Sequence, residues 1–259
     1  MLKKIEHIIK ESAELIIREA RRHIFGNVND DFITLSNQMR KSGYGIIEGY
    51  WSSNRCREAV DAIDCELANT ITKCHRWSDT DGADQRLFYS ERMGGLAEEF
   101  HSDPFIESFR RAHSGVLKAD KLLLAARLNT VLGNKGSGGG WHRDSPHRSQ
   151  FKAILYLSDV KEENGPFEYL EGSHLVSDSL RMLAKKFVKP NQYRFTEEEI
   201  QLIISSKKPP VTFIASAGTL LLVDTKGIHR GRPISAGTRY AYTQYCFDGK
   251  KPNTFLDGV

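Results

Sequence analysis

The sequence predicts an α+β fold in which helices precede an antiparallel β structure. Apolar residues recur at helical spacing in the first half of the chain, and short β-type runs bounded by Gly, Pro, Asn or Asp follow from about residue 122. Regularly spaced short strands are typical of a sandwich or barrel and not of alternating βαβ units. The 259 residues, 39% of them hydrophobic, fit a single domain over residues 1–259.

Residues 1–121 are expected to be mainly helical support. Isoleucines among Lys, Glu and Arg predict an amphipathic helix over residues 2–25. The apolar run at 44–47 predicts a strand, and the helix after it is expected to be capped by Ser52 or Ser53.

The polar stretch at residues 76–100 predicts a loop that is a candidate substrate lid. Helical spacing returns after Asp103, which precedes a proline and therefore predicts an N-cap. His101 and Asp103 form an H-x-D pair, but the capping role makes this copy structural.

Residues 122–248 are expected to hold the β core. Its strands are interrupted at residues 175–208, where helical spacing and a capping box from Thr196 to Glu199 predict two inserted helices.

Three residues in the β half have the types and spacing of a metal site. His142-x-Asp144 follows a glycine-rich turn, and His229 lies 85 residues further on. Two imidazoles and one carboxylate are the facial triad that holds Fe(II) with open coordination positions. On a strand, residues i and i+2 share a face, so His142 and Asp144 can point to the same ion.

Arg239 strengthens this interpretation. It begins an apolar strand ten residues after His229, and a tight return would bring that strand beside the metal. A guanidinium binds carboxylates in bidentate fashion, as a site for a dicarboxylate co-substrate needs.

Three phrases of the sequence resemble the phytanoyl-CoA dioxygenase family of iron(II) and 2-oxoglutarate-dependent oxygenases, to which ectoine hydroxylase is related. They are His142-x-Asp144, LYLSDVKEENGPFEYLEGSH and GTLLLVDTKGIHRGRPISAGTR. The resemblance implies a double-stranded β-helix, which is a cupin-like jelly roll, with the N-terminal helices and the helical insert packed on it.

The resemblance also implies the roles of individual residues. His142, Asp144 and His229 are the expected iron ligands, and Arg239 is the expected partner of the distal 2-oxoglutarate carboxylate. The cofactor set is Fe(II), 2-oxoglutarate and O₂, and the expected reaction is hydroxylation with release of succinate and CO₂. Desaturation, epimerisation or ring formation needs the same ligands and stays open.

Further residues are candidates for the co-substrate or the substrate. Arg127 and Asn129 share a strand face in AARLNTVL, which resembles a binding strand of ectoine hydroxylase. Relatives often have serine at position 231 and asparagine at 234, where this chain has Gly231 and Ile234, so the contacts with the co-substrate are expected to differ.

Trp141, His147 and Arg148 surround the proposed triad. Trp141 either walls the site or packs in the core. His147 and Arg148 either bind an anionic group of the substrate or form a solvated rim.

The expected function is that of a cytoplasmic enzyme acting on a small polar, anionic or sugar-like molecule. The net charge of +4 is scattered and does not favour nucleic acid, no apolar run is long enough to span a membrane, and the four cysteines form no disulfide framework. The alternatives are a non-oxidative cupin-like isomerase or epimerase and a non-catalytic metal or 2-oxoglutarate-binding protein. The oligomeric state cannot be read from the sequence.

Overall fold

Two antiparallel sheets form the centre of the molecule. The computed structural model describes residues 2–25, 30–145, 150–247 and 251. A seven-stranded sheet has the order β1-β8-β5-β10-β4-β3-β2, and a three-stranded sheet has the order β7-β6-β9. The strands are β1 (Tyr44–Ile47), β2 (His75–Ser78), β3 (Asp84–Phe88), β4 (Lys121–Asn129), β5 (Phe151–Tyr156), β6 (Phe167–Tyr169), β7 (Val211–Phe213), β8 (Leu220–Asp224), β9 (His229–Gly231) and β10 (Thr238–Cys246).

Most of the helices lie in the first half of the chain. The helices are α1 (Leu2–Phe25), α2 (Asp30–Ser42), α3 (Ser53–Ala68), α4 (Gly95–His101), α5 (Pro104–Ser114), α6 (Val176–Ala184) and α7 (Glu197–Ile204), with short 3₁₀ turns at Ser90–Met93 and Glu162–Asn164. None of the helices in the described ranges is both long and apolar enough to cross a membrane.

The large sheet is buried on both faces, which explains why its central strands read as continuous apolar runs. On β5, Phe151, Ala153 and Leu155 pack in a core with apolar residues of α3, α4 and α5. The alternate residues Ile154 and Tyr156 pack towards the small sheet. The large sheet therefore has an outer face covered by helices and an inner face turned to the small sheet.

Local signals in the sequence predicted several elements correctly. Strand β1 has the predicted limits, and Ser52 caps α3 by accepting a hydrogen bond from the Arg55 backbone N–H. Asp103 caps α5, and Thr196 with Glu199 forms the predicted capping box of α7. Each signal depends on residues within one turn of each other, which is why it can be read from the sequence.

The prediction of a loop at residues 76–100 was right for the turn at residues 79–83 and wrong for most of the rest. This stretch contains β3 and most of β2, which extend the large sheet beyond β4, followed by a 3₁₀ turn and α4. Both strands carry charged or polar side chains at most positions, so they lack the apolar alternation that marks a strand.

Candidate metal centre and co-substrate cavity

His142, Asp144 and His229 lie together between the two sheets. The chain at His142 runs antiparallel to β9, with backbone hydrogen bonds from His142 N–H to His229 O (2.9 Å) and from His229 N–H to His142 O (2.8 Å). Asp144 N–H donates to Thr225 O at 3.0 Å. These contacts bring one ligand atom of each of the three side chains within 4.8 Å of the other two, and in the described part of the chain this is the group of three that could hold a metal ion.

Backbone carbonyls orient both imidazoles. The Nδ1 atom of His142 lies 2.8 Å from Gly140 O, and that of His229 lies 2.8 Å from Gly227 O. A carbonyl only accepts hydrogen bonds, so each Nδ1 must carry the hydrogen. The lone pair of each ring is therefore on Nε2, as a metal ligand requires.

The charges of the three ligands suit a divalent cation. Burial lowers the pKa of His142 to about 4 and lowers the pKa of His229 well below its ordinary value. Burial alone would raise the pKa of Asp144, but the positive charge of Lys152, with smaller contributions from His229 and His142, lowers that pKa. At neutral pH the site is therefore two neutral imidazoles and one carboxylate, which are the protonation states that bind metal.

Lys152 has a contact with the triad that the sequence did not reveal. Its Nζ atom lies 2.7 Å from Asp144 Oδ2 and 4.1 Å from the ring centroid of Tyr245. The signal that could have found it is a single lysine on the inner face of β5, in line with Ile154 and Tyr156.

A cavity of about 240 Å³ opens beside the triad. The three candidate ligands line it together with Arg239. Its apolar walls include Leu128 on β4, Ile154 on β5 and Phe167 on β6. A ligand in this cavity would therefore contact the metal ligands and a guanidinium at the same time.

Arg239 fits the role of a carboxylate partner. Its side chain is 8% exposed, and its buried Nη1 atom has no hydrogen-bond partner in the described residues. A buried guanidinium N–H without an acceptor is costly. A carboxylate in the cavity would supply the acceptor, so the residues present fit a dicarboxylate such as 2-oxoglutarate.

Arg127 and Asn129 do share a face of β4, but it is not the face of the cavity. Leu124, Ala126 and Leu128 point into the cavity, so alternation turns Arg127 and Asn129 to the outer side. The contacts of both side chains are with other protein groups.

Both side chains have partners on the outer side of the sheet. Arg127 donates to Asp64 Oδ1 at 2.7 Å and to Gln85 Oε1 at 2.8 Å, and Asn129 Oδ1 lies 3.4 Å from the hydroxyl of Thr238. The structure therefore does not place Arg127 and Asn129 in the cavity, where the sequence analysis expected them. Because β4 is apolar on both faces, the sequence does not show which of its faces is the inner one.

Trp141 packs in the core and does not line the cavity. Its ring lies among apolar residues of α6 and α7, and the guanidinium carbon of Arg230 is 4.4 Å from the ring centroid. Of the two interpretations left open for Trp141, packing is therefore the one that the structure supports. His147 and Arg148 lie outside the described residues.

Comparison with known proteins identifies the family of the chain. The sequence model of the phytanoyl-CoA dioxygenase family (PhyH) matches residues 39–241, so the chain belongs to this family. Membership carries with it the iron(II), 2-oxoglutarate and O₂ expected from the sequence. No curated protein matches the sequence.

Solved structures similar to this chain confirm the cupin-like double-stranded β-helix. The epimerase SnoN, solved with Fe³⁺, α-ketoglutarate and nogalamycin RO, is 16% identical with a TM-score of 0.62, covering 84% of each chain. The carbocyclase SnoK from nogalamycin biosynthesis is 14% identical with a TM-score of 0.63, covering 90% of this chain and 92% of its own. EctD from S. alaskensis, solved with 2-oxoglutarate and 5-hydroxyectoine, is 14% identical with a TM-score of 0.62, covering 85% of this chain and 79% of its own.

Proposed function

We propose that the protein is an Fe(II)- and 2-oxoglutarate-dependent dioxygenase that hydroxylates a small molecule. The observation that carries the proposal is the presence, in one cavity, of the candidate ligand triad and of an arginine whose buried N–H has no acceptor among the described residues. A non-oxidative metal enzyme has no use for a dicarboxylate partner at this place.

In this proposal, His142, Asp144 and His229 would hold iron and leave coordination positions for other ligands. Iron with 2-oxoglutarate supplies the activation of O₂, with release of succinate and CO₂. Arg239 binds the distal carboxylate in bidentate fashion and thereby fixes the direction of the co-substrate. Lys152 holds one oxygen of Asp144, which leaves the other oxygen for the metal.

The cavity walls contribute by limiting access of water to the open side of the metal. Leu128, Ile154 and Phe167 present only carbon atoms to it. Apolar walls around a metal control the solvent access and the local dielectric. This arrangement suits the oxidation of a C–H bond, which needs an oxidant that is not consumed by solvent.

Turnover tests this proposal against its alternatives. The protein would be incubated with Fe(II), 2-oxoglutarate, O₂ and panels of small polar, anionic and sugar-like molecules, with succinate as the readout. We expect succinate above the substrate-free background with at least one panel member. His142→Ala should abolish it, whereas His75→Ala, which changes an exposed histidine on β2, should not.

The mass of the product distinguishes the reaction types. Hydroxylation adds one oxygen atom, epimerisation leaves the mass unchanged, and desaturation or ring closure removes two hydrogen atoms. Epimerisation is the second candidate, because the epimerase SnoN has the same fold. Isomerisation without consumption of 2-oxoglutarate would indicate the non-oxidative alternative, and binding of 2-oxoglutarate without any turnover would indicate the non-catalytic one.

We also propose that the enzyme acts in the cytoplasm on a small-molecule substrate. The four cysteines, at positions 56, 65, 74 and 246, are all unpaired thiols. Free thiols fit a reducing compartment. Separation of cellular fractions followed by detection of the protein tests this localisation.

A further inference from the structure

The part of the cavity wall formed by β9 has no side chain at position 231, which is glycine. Gly231 follows His229 by two residues on β9, so a side chain at position 231 would point to the same face as the His229 ring. A Cβ atom built on Gly231 would lie 2.8 Å from Cβ of Ser137 and 2.9 Å from its carbonyl oxygen. Ser137 therefore occupies the space that Gly231 leaves, and both residues line the cavity.

The hydroxyl of Ser137 can donate a hydrogen bond into the cavity. Its oxygen accepts a hydrogen bond from Arg86 Nη2 at 3.3 Å. Within the described ranges the hydroxyl hydrogen has no acceptor. A hydroxyl can donate and accept at once, so Ser137 can serve an anion while it holds Arg86.

Arg86 lines the same cavity and is held in place by the protein. Its Nε and Nη2 atoms donate to the two oxygens of Asp84 at 3.0 and 2.6 Å, and its guanidinium carbon lies 5.0 Å from the ring centroid of Trp77. Its Nη1 atom makes no hydrogen bond to a described residue. Asp84 and Trp77 thus hold the guanidinium in place, and its Nη1 atom can still donate a hydrogen bond.

Arg86 and Arg239 approach the same end of the cavity. Leu128 on β4 is paired with Arg239 of β10 on one side and with Asp84 of β3 on the other. Arg86 lies two residues after Asp84 on β3. Burial lowers the pKa of Arg239, Tyr156 and Asp84 raise it, and the positive charge of Arg86 lowers it, in line with this placement. Two arginines and one aspartate carry a net charge of +1, which one carboxylate neutralises.

We propose that Arg86 and Ser137 form a second binding element for the distal carboxylate of 2-oxoglutarate, beside Arg239. This inference rests on the proposed function. It assigns Ser137, in a glycine-rich turn, and Arg86, on β3 between β2 and β4, to the recognition of the co-substrate, and it explains how position 231 can be glycine.

Binding of two matched ligands tests the inference without turnover. The Fe(II)-loaded protein would be titrated under anaerobic conditions with 2-oxoglutarate and with 2-oxopentanoate, which has a methyl group in place of the distal carboxylate. The dissociation constants would come from calorimetry and from the visible absorption of the complex. The variants are Arg86→Gln, Ser137→Ala and, as the matched control, Arg127→Gln, which changes an arginine on the outer face of the neighbouring strand.

We expect Arg86→Gln to raise the Kd for 2-oxoglutarate at least about tenfold and Ser137→Ala to raise it about threefold or more, because charge-assisted hydrogen bonds are stronger than neutral ones. The Kd for 2-oxopentanoate should stay unchanged, and Arg127→Gln should change neither value. Ser137→Ala keeps the test valid if loss of the partner of Asp84 unfolds Arg86→Gln.

Two results would overturn the inference while leaving the proposed function intact. One is an unchanged Kd for 2-oxoglutarate in both folded variants. The other is an equal loss for both ligands, which would mean that Arg86 and Ser137 only maintain the shape of the cavity. Failure of the wild-type protein to bind 2-oxoglutarate would instead contradict the proposed function itself.

Discussion

Arg127 on the outer face of the large sheet and Arg239 on its inner face differ in their protein partners. On the outer face, Arg127 has a protein partner, because its guanidinium pairs with Asp64 at 2.7 Å. On the inner face, Arg239 is more deeply buried and leaves an N–H without an acceptor in the described residues. Arg239 thus differs from Arg127 by a buried N–H that the described residues leave without an acceptor. The sequence, which places both arginines in strands, does not show this difference.

The largest effect is expected from removing the carboxylate of the triad. Asp144→Asn keeps the shape of the side chain but leaves the ammonium of Lys152 beside two neutral imidazoles. We expect the affinity for Fe(II) to fall by more than about 100-fold, since loss of an outer-shell partner alone typically costs 10- to 100-fold. Anaerobic calorimetry with Fe(II) measures it, and an affinity within tenfold of wild type would remove Asp144 from the ligand set.

The comparison of the two arginines is tested directly by changing each to glutamine. Arg239→Gln should raise the Kd for 2-oxoglutarate by roughly 10- to 100-fold, as expected for loss of a charge-assisted pair, and should leave Fe(II) binding unchanged. Arg127→Gln should leave both constants unchanged. If the two variants weakened 2-oxoglutarate binding equally, the distinction between the two faces would be wrong.

Lys152 should determine how acid the solution can become before the metal is lost. In the wild type the pKa of His142 is lowered to about 4 and that of Asp144 is lowered as well, so all three ligands stay unprotonated well below neutral pH. Lys152→Met removes the attraction that lowers the pKa of Asp144 and leaves the burial that raises it. The carboxylate is then protonated at higher pH.

We expect the midpoint of acid-induced metal loss to move upward by about one pH unit or more in Lys152→Met. Fe(II) binding measured from pH 8 down to pH 4.5 reports this midpoint. At pH 8 the two proteins should bind the metal similarly, which is the internal control. A midpoint that stays in place, or moves downward, would mean that Lys152 does not set the charge of Asp144.

The smallest effect is expected on the outer face. The side chains of Arg127 and Asp64 are 26% and 42% exposed, so their ion pair is partly screened by solvent. We expect Arg127→Gln to lower the free energy of unfolding by only about 0.2–1 kcal/mol. Urea denaturation measures it, and a loss above about 2 kcal/mol would show that this pair has a structural role comparable to the core.

The candidate metal ligands could be named from the sequence because their signal is chemical and depends on few residues. His142 and Asp144 are two positions apart after a turn, and the phrase around His229 resembles a known family. The family match and the cofactors confirm the class of enzyme. Arg239 could be named for the same reason, since it starts a strand at a fixed distance from His229 and lines the predicted cavity.

The rest of the cavity depends on contacts between distant parts of the chain. Arg86 and Ser137 meet although 51 residues separate them, and the strand of Arg86 does not show the usual apolar alternation. The outer position of Arg127 could not be read because both faces of β4 are apolar. Alternation shows which residues share a face, but only packing shows which face is inside. The organisation of residues 1–259 as one domain stays a prediction.

The central claim is that one cavity holds both iron and 2-oxoglutarate. It is tested most directly by titrating 2-oxoglutarate into the Fe(II)-loaded protein under anaerobic conditions while recording the visible spectrum. The claim predicts a weak metal-to-ligand charge-transfer band that saturates at one 2-oxoglutarate per iron, is absent from His142→Ala and is reached only at higher 2-oxoglutarate concentration in Arg239→Gln. Absence of the band from the wild type, or its survival in His142→Ala, would contradict the claim.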